Sequence, residues 1–404
     1  MITLADKFNC TGCYACMNVC TKHAISMVED EEGFLQPYID VSLCVDCGLC
    51  EKKCPVIHPL NFELPKQKVF AVINPQDRNV SSSGGAFSMF ARYVLNNGGV
   101  VFGATIDENL QVYHIGIQDL KDLYKLRGSK YVQSKIGNTY REAKSFLQEN
   151  RKVLFCGTPC QIAGLYAFLG KRWEEHLITL DLVCHGVPNQ KTFNAYLTKL
   201  VKSKNINSKN KDIKAFRFRN LETWDYRPAF QISESKRWHI LDQENNVFMN
   251  AFFRGSIFRE SCFKCQYANC NRIGTFTLAD FWGIGKYGTK FSKSVAAGVS
   301  MVIDNQGILE NIILDLKGCY IEERTLEEAK AENGNLKESL HRLPERDNAI
   351  IDMLDEKTSL ILYAQKYHML DGFFTHLIKK VFKNVIYKLH FYNIYKSISY
   401  KYGK

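Results

Sequence analysis

The chain has 404 residues, 46% of them hydrophobic and 24% charged, and carries a formal net charge of +11. This is an ordinary globular composition, with apolar material for more than one core and a length that suggests about two to three domains. A bilayer-crossing helix is excluded because no continuous apolar run is long enough, while the positive balance suits nucleic acid, anionic lipid, phosphate-rich cofactors or acidic redox partners.

Met1 to Phe8 carries Asp6 and Lys7 and has no apolar core segment. No secretory signal is therefore expected, and the compartment is expected to be reducing: cytoplasmic, with a peripheral position at the membrane left open. Cys10, Cys13, Cys16 and Cys20 follow, and then Cys44, Cys47, Cys50 and Cys54 with Pro55 behind them, one spacing written twice. Three thiolates on a tight loop reach three irons of a cubane 4Fe–4S cluster, while the fourth comes from elsewhere; in two-cluster ferredoxins the last cysteine of each run crosses to the other cluster. The expected ligand sets are Cys10, Cys13, Cys16 and Cys54 for one cluster, and Cys44, Cys47, Cys50 and Cys20 for the second. Zinc would be satisfied by two Cys-x-x-Cys pairs and would leave the third cysteine of each run idle. Disulfides conflict with the reducing compartment. Thr21 stands where the second run has Pro55, at a position that is not a ligand.

This module should occupy residues 1–57, with a proline-marked linker from His58 to Pro65. Beyond it, strands and helices alternate: a strand at Val69–Ile73, a helix over Ala86–Asn96, a strand at Val100–Ile106, a helix from Tyr140 to Gln148, a strand at Lys152–Cys156, a helix over Pro159–Leu169 and a strand at Leu177–Val183. That order predicts an α/β sheet layered by helices over residues 66–305, so the fold class is α+β / α/β with a ferredoxin-like module in front. The Ser81–Gly85 loop lies between a strand and a helix start, a ready phosphate site, although a plain serine cap explains it as well.

Three further loops concentrate chemistry: Gly157-Thr158-Pro159-Cys160-Gln161, Cys184-His185-Gly186, and Cys262-Phe-Lys-Cys265 followed by Arg272 and Asp280. Ligands gather at the carboxyl ends of strands in open α/β sheets, so Cys160 and Cys184 are expected to face one crevice. Cys160, Cys184, Cys262 and Cys265 together suffice for a third cluster, whereas Cys156 and Cys319 read as packing residues. His185 is a candidate proton donor or hydrogen-bond donor, and equally a structural loop histidine.

Gly128-Ser-Lys-Tyr131, Gly157-Thr-Pro-Cys-Gln-Ile-Ala-Gly164, Asp181-Leu-Val-Cys-His-Gly186 and Leu278-Ala-Asp-Phe-Trp-Gly283 together resemble the coenzyme F-420 hydrogenase/dehydrogenase beta-subunit family, over about Thr3 to Asp304. The resemblance implies an FAD-containing iron–sulfur oxidoreductase that passes electrons between a hydride-carrying partner and one-electron centres. Relatives act on a deazaflavin coenzyme or draw on reduced ferredoxin. By motif match it implies Ser82, Ser83, Gly84, Gly85, Lys130, Thr158, Gln161 and Arg272 as FAD-site residues, and His185 and Asp280 as catalytic candidates. Thr275 departs from the acidic residue of many relatives. Cys270 falls outside the pattern. Two functional classes follow: a flavoenzyme acting on a deazaflavin-like or other small molecule, and an electron-transfer subunit wiring a partner enzyme to ferredoxin or another redox protein.

Ser203 to Lys214 reads as an exposed connection, and Ala215–Arg219 with Ala229–Ile232 as a half-buried hairpin, preferred over a nucleic-acid surface. Residues 306–404 are expected to be helical. Phe374, Leu377, Ile378, Val381, Val385 and Leu389 mark one face of a basic amphipathic helix that suits packing on the flavin domain, an anionic membrane surface or an acidic partner.

Overall fold

The computed structural model describes residues 2–369 apart from 61–66, 171–172, 174, 204–212, 222–225, 233–236, 242–245 and 317. The expected amphipathic helix from Phe374 to Leu389 and most of the Ser203–Lys214 connection lie outside the described residues.

The N-terminal module contains helices α1 (Ala15–Val19) and α2 (Leu49–Lys52) and the antiparallel pair β1 (Ile25–Glu29) and β2 (Leu35–Ile39). The two cysteine runs share one loop conformation. Gly12 and Tyr14 in the first, and Asp46 and Gly48 in the second, all have positive φ (63°, 67°, 54° and 69°). Left-handed residues between the cysteines curl the loop so that successive thiols turn to one side before the short helix begins, and such strained positions persist only where the surroundings hold them.

The main sheet contains β3 (Lys68–Ile73), β4 (Val100–Ile106), β5 (Val112–Ile117), β6 (Val153–Gly157) and β7 (Leu177–Leu182). A small three-stranded sheet follows, β8 (Ile213–Arg217), β9 (Ala229–Ile232) and β10 (His239–Ile240), and the main sheet resumes with β11 (Phe276–Asp280), β12 (Ser300–Asp304) and β13 (Tyr320–Arg324). The strand order is β13-β3-β12-β11-β7-β6-β4-β5. Only β4, β6, β7 and β11 run parallel; β5, β12, β3 and β13 add antiparallel strands at the two sides. The sheet is thus mixed. Strand β13 also carries residues 320–324 into it, so the expected boundary at 305 cuts through a sheet that the chain re-enters later. The expected hairpin is present as β8 and β9, with its first strand beginning at Ile213.

Helices α3 (Ala86–Asn96), α4 (Thr139–Gln148) and α5 (Pro159–Leu169) cover the sheet. The strands explain why both faces are covered: Val101 and Leu154 pack with α3 on one face, while Val100, Phe102, Val153 and Phe155 pack with α4 and α5 on the other. Alternate residues of a strand point to opposite faces, so near-continuous apolar runs need two helical layers. Phe102 and Phe155 stack at 5.5 Å between ring centres, each burial contributing roughly 1.5–3 kcal/mol.

A separate core joins α6 (Gln190–Ser203), α7 (Val247–Arg254) and the small sheet. The short α8 (Leu309–Ile312) and α9 (Leu326–Ala331) flank β13, and α10 (Arg346–Leu354) with α11 (Leu360–Lys366) closes that second core. Among the described residues no helix is long and apolar enough to cross a membrane.

Candidate metal centres and cofactor loops

Cys10, Cys13, Cys16 and Cys54 lie near one another, and Cys20, Cys47 and Cys50 lie near one another. Burial, with the charges of Cys10, Cys160 and Cys54 adding, pushes the Cys13 thiol up to about 12. Burial also pushes Cys16 well up, with Cys13, Cys10 and Cys54 adding. These four line one cavity with Ala5, Met27, Pro37 and Val56. Cys50 is raised by burial and then by Cys20 and Cys47, so the last cysteine of the first run lies with the second set. Cys44 enters the same loop, its N–H bonded to Asp40 O at 3.0 Å. Buried thiols crowded together resist ionisation on their own; a bound metal cluster replaces their protons and supplies the missing positive charge, so the donors fit iron–sulfur ligation.

A second gathering lies at the carboxyl ends of β6 and β7. Strand β6 ends at Gly157, Thr158 caps α5, and Cys160 sits in its first turn; Cys184 follows β7, and Cys262 and Cys265 come from the turn around Glu260–Lys264. Burial pushes Cys184 well up, with Cys262, Cys160 and Cys265 adding. Burial likewise raises Cys262 to about 12 and Cys160 to about 11. Cys270 stands apart, its thiol donating to Leu336 O at 3.2 Å. The two gatherings adjoin: Cys13 and Cys160 act on one another, and a Cβ at Gly164, one turn along α5, would lie 3.0 Å from both Cys13 Cβ and Cys13 O. The Tyr140 hydroxyl, fully buried, donates toward Cys13 O at 2.9 Å and Gln161 O at 2.6 Å.

The cofactor candidates divide. Gly84 has no room for a side chain, since a Cβ would collide with Val72 O and Ser300 N, and Gly85 (φ 89°) heads α3 with no side-chain cap. The first N–H of α3, that of Ala86, meets Ser300 Oγ at 3.4 Å, while Gly85 itself offers no capping oxygen to the N–H groups behind it. Ser82 Oγ accepts from Ser129 N at 3.0 Å, and Ser83 Oγ donates to Val299 O at 3.0 Å. Lys130 follows directly, but its ammonium donates to the carbonyls of Arg127, Leu126 and Lys125 (2.9, 3.1 and 3.4 Å). Burial pulls Lys130 down to about 7, and Cys156 works against that pull. Thr158 and Gln161 form a reciprocal capping box on α5, and Gln161 Nε2 also reaches Ser134. Arg272 is a buried staple: it pairs with Asp181 at 3.0 Å and donates to Tyr267 O, Leu182 O and Asn269 O.

Asp280 lies at the end of β11, gripped by Arg219 at 2.7 Å and by the Tyr226 hydroxyl at 3.0 Å. His185 is close enough to feel Asp280; burial lowers its pKa and the carboxylate works against that. Tyr131, raised by burial, joins the same group. The sequence reading missed the group that Tyr131 forms with Arg219 and Tyr226, because the first lies nearly ninety residues before the other two and no motif spacing joins them. It also missed His114, whose Nε2 meets Cys156 O at 2.9 Å while Nδ1 is buried without a partner, and Arg259, which ties the N-terminal module to the Cys262 turn.

Residues 9–57 match the family described as the 4Fe-4S dicluster domain, and residues 150–328 match the family described as the C terminus of the coenzyme F420 hydrogenase/dehydrogenase beta subunit. An uncharacterized ferredoxin of Methanocaldococcus jannaschii is 36% identical over 52 residues, which are 13% of this chain and 66% of that protein, just under two thirds of its length. A solved structure of the xenon-derivatized F420-reducing [NiFe] hydrogenase complex from Methanosarcina barkeri is 14% identical, with 74% of this chain and 91% of that chain covered and a TM-score of 0.41.

Proposed function

Because the chain carries a 4Fe–4S dicluster domain and the C-terminal region of the coenzyme F420 hydrogenase/dehydrogenase beta subunit, we propose that it is an iron–sulfur flavoprotein oxidoreductase. It moves electrons between ferredoxin-type clusters, a further cluster on Cys160, Cys184, Cys262 and Cys265, and an FAD that exchanges them with a deazaflavin-like or other small molecule. The carrying observation is the close approach of the two cysteine gatherings: α5, whose first turn holds Cys160, packs on Cys13 so tightly that a Cβ at Gly164 would lie 3.0 Å from Cys13 Cβ, which brings the module's sulfur sites up against the sheet domain. When bound, a flavin takes two electrons as a hydride and releases them singly, and cubane clusters carry them one at a time.

The chain's own groups then have distinct tasks. The α3 N-terminus, where Gly85 offers no side-chain cap of its own, and the Ser82–Gly85 loop in front of it suit a pyrophosphate at the positive end of the helix dipole. Arg272 and Asp181 hold the 265–274 loop against β7, keeping Cys265 beside Cys184. His185, lowered by burial, is available as a proton acceptor, and Asp280 is oriented by Arg219 and Tyr226. At the outer cysteine set Cys47 is exposed and is flanked by exposed Val41, Leu43 and Val45, a surface suited to ferredoxin or another redox protein. That surface also supports the second reading, a subunit that only wires a partner to ferredoxin.

Anaerobic purification with iron, sulfide and flavin assays is the test. The reading expects roughly twelve irons and one FAD per chain, with the flavin reoxidised by a free small molecule. Flavin reactive only in complex with a partner enzyme would favour the second reading, and zinc in place of iron would overturn both.

A further inference from the structure

Five arginines are buried among the described residues, and four of them face carboxylates: Arg219 with Asp280, Arg272 with Asp181, Arg324 with Glu322 and Glu328, and Arg346 with Glu32 and Asp347. Arg259 is the exception. It is 1% exposed, and its guanidinium donates to neutral acceptors throughout: Nε to Cys10 O at 2.7 Å, one terminal nitrogen to Gln133 Oε1 at 3.2 Å, and the other to Leu35 O and Gln36 Oε1 at 2.9 Å each. Ring faces do not supply the missing charge either, since its contact with Phe34 is 5.6 Å to the centroid. Burying a cation without an anion costs several kcal/mol even after relaxation, so a fold that keeps this arginine dry needs negative charge beside it.

The position of Arg259 says where that charge is. Its Nε bond is to the carbonyl of Cys10, the first residue of the inner N-terminal set, and Ser261 Oγ reaches the same carbonyl at 3.1 Å. Its charge also reaches Cys160 and Cys262 of the second gathering. Arg259 therefore stands between the Cys10/Cys13/Cys16/Cys54 set and the Cys160/Cys184/Cys262/Cys265 set. A cubane cluster with four thiolates is net negative, and each electron it accepts adds one negative charge.

We propose that Arg259 is the shared counter-charge of these two iron–sulfur sites: it favours the reduced form of both, so that an electron leaving one site, which is thereby oxidised, reduces the other without being trapped at either. The proposal rests on the cluster assignment above and adds to it a positioning residue that acts through potential. No bond forms or breaks in the transfer, and no proton need accompany the electron, because the guanidinium stays charged throughout.

The experiment is an EPR-monitored redox titration of the full chain, purified anaerobically, as wild type, Arg259→Gln, Arg259→Lys and Gln133→Glu. Arg259→Gln should lower the midpoint of at least one inner site by a tenfold change in its one-electron equilibrium or more, which is 59 mV. Arg259→Lys keeps the charge and should recover most of the shift. Gln133→Glu puts a carboxylate on the terminal nitrogen of Arg259 and should lower the potential with the arginine in place. The Cys20/Cys44/Cys47/Cys50 site should not move in any of them. A change under twofold in an iron-loaded Arg259→Gln protein would overturn the proposal, as would a lysine variant shifted as far as the glutamine one. If Arg259→Gln cannot be loaded, Gln133→Glu decides alone: unmoved inner potentials overturn the idea. Wild-type iron separates the two layers. Roughly eight irons would remove the second site and the shared role with it, whereas roughly twelve irons with unmoved potentials would remove only the role of Arg259.

Discussion

Replacing Arg272 with methionine should open the sheet locally while leaving the N-terminal module intact. The side chains of Arg272 and Asp181 are 1% and 0% exposed, and Asp181 is otherwise held by the N–H groups of Ile273 and Gly274 at 3.1 and 2.9 Å. Methionine matches much of the stem volume but strands a buried carboxylate and frees the carbonyls of Tyr267, Asn269 and Leu182. Breaking one side of a buried pair costs about 3–5 kcal/mol, which is a roughly 150- to 5,000-fold increase in local opening. Native-state hydrogen exchange at the amides of β7 and β11 reads this opening residue by residue, independently of whether global unfolding is reversible. Iron held by the Cys160 set should fall, because the loop that carries Cys265 is the one released. The double variant Arg272→Met with Asp181→Leu should recover a large part of the protection, since no charge is then left stranded. A single variant exchanging less than about fivefold faster, a cost of about 1 kcal/mol, would refute the reasoning, and so would a double variant no better than the single. Flavin loss with unchanged exchange would instead return Arg272 to the cofactor site.

Exchanging Cys13 and Cys47 together for serine should remove most cluster iron from the N-terminal module, read by iron and sulfide assay; unchanged iron would contradict the eight-cysteine assignment. Gly85→Asp should expel flavin while the N-terminal clusters persist, and Gly85→Asn, with the same strain at φ 89° and no charge, should retain far more, as measured by flavin fluorescence after denaturation. Equal loss in both would point to backbone strain instead of a phosphate site. His114 has its pKa lowered to about 4 by burial, against 6.5 for the free group. Between those values the unfolded chain binds the proton and the folded chain does not, so this contribution is complete above about pH 6.5 and is lost as pH falls toward 4, by about 3 kcal/mol in all. Thermal unfolding of wild type and His114→Gln from pH 4 to 7 should therefore converge at low pH, and parallel curves would show that His114 is not the titrating group.

What the sequence determined by itself was whatever depends on short-range geometry. The doubled cysteine spacing specified two equivalent loops, and the structure repeats their left-handed residues at Gly12 and Tyr14 and at Asp46 and Gly48. The helices Ala86–Asn96 and Pro159–Leu169 and the strand Val100–Ile106 have the boundaries that apolar period, glycine and proline indicate. Tertiary structure decided the rest. Strand β5 and the late strands β12 and β13 become part of the sheet only because β4, β11 and β3 offer them open edges, and no local period distinguishes such a strand from other short apolar runs. The commitments of Arg272 to Asp181, of Lys130 to three carbonyls, and of Asp280 to Arg219 and Tyr226 are fixed by how the chain packs, so a motif match could name those residues but not say what they hold. Arg259 is the clearest case: in the sequence it is one arginine in a cysteine-bearing turn, and only when the N-terminal loop folds onto that turn does its charge become buried, unpaired with any carboxylate and adjacent to two sets of thiols. The physical reason is that spacing along the chain specifies which atoms of one loop can share a ligand, while the dielectric and the counter-charge around a group are set by whatever the rest of the chain packs against it.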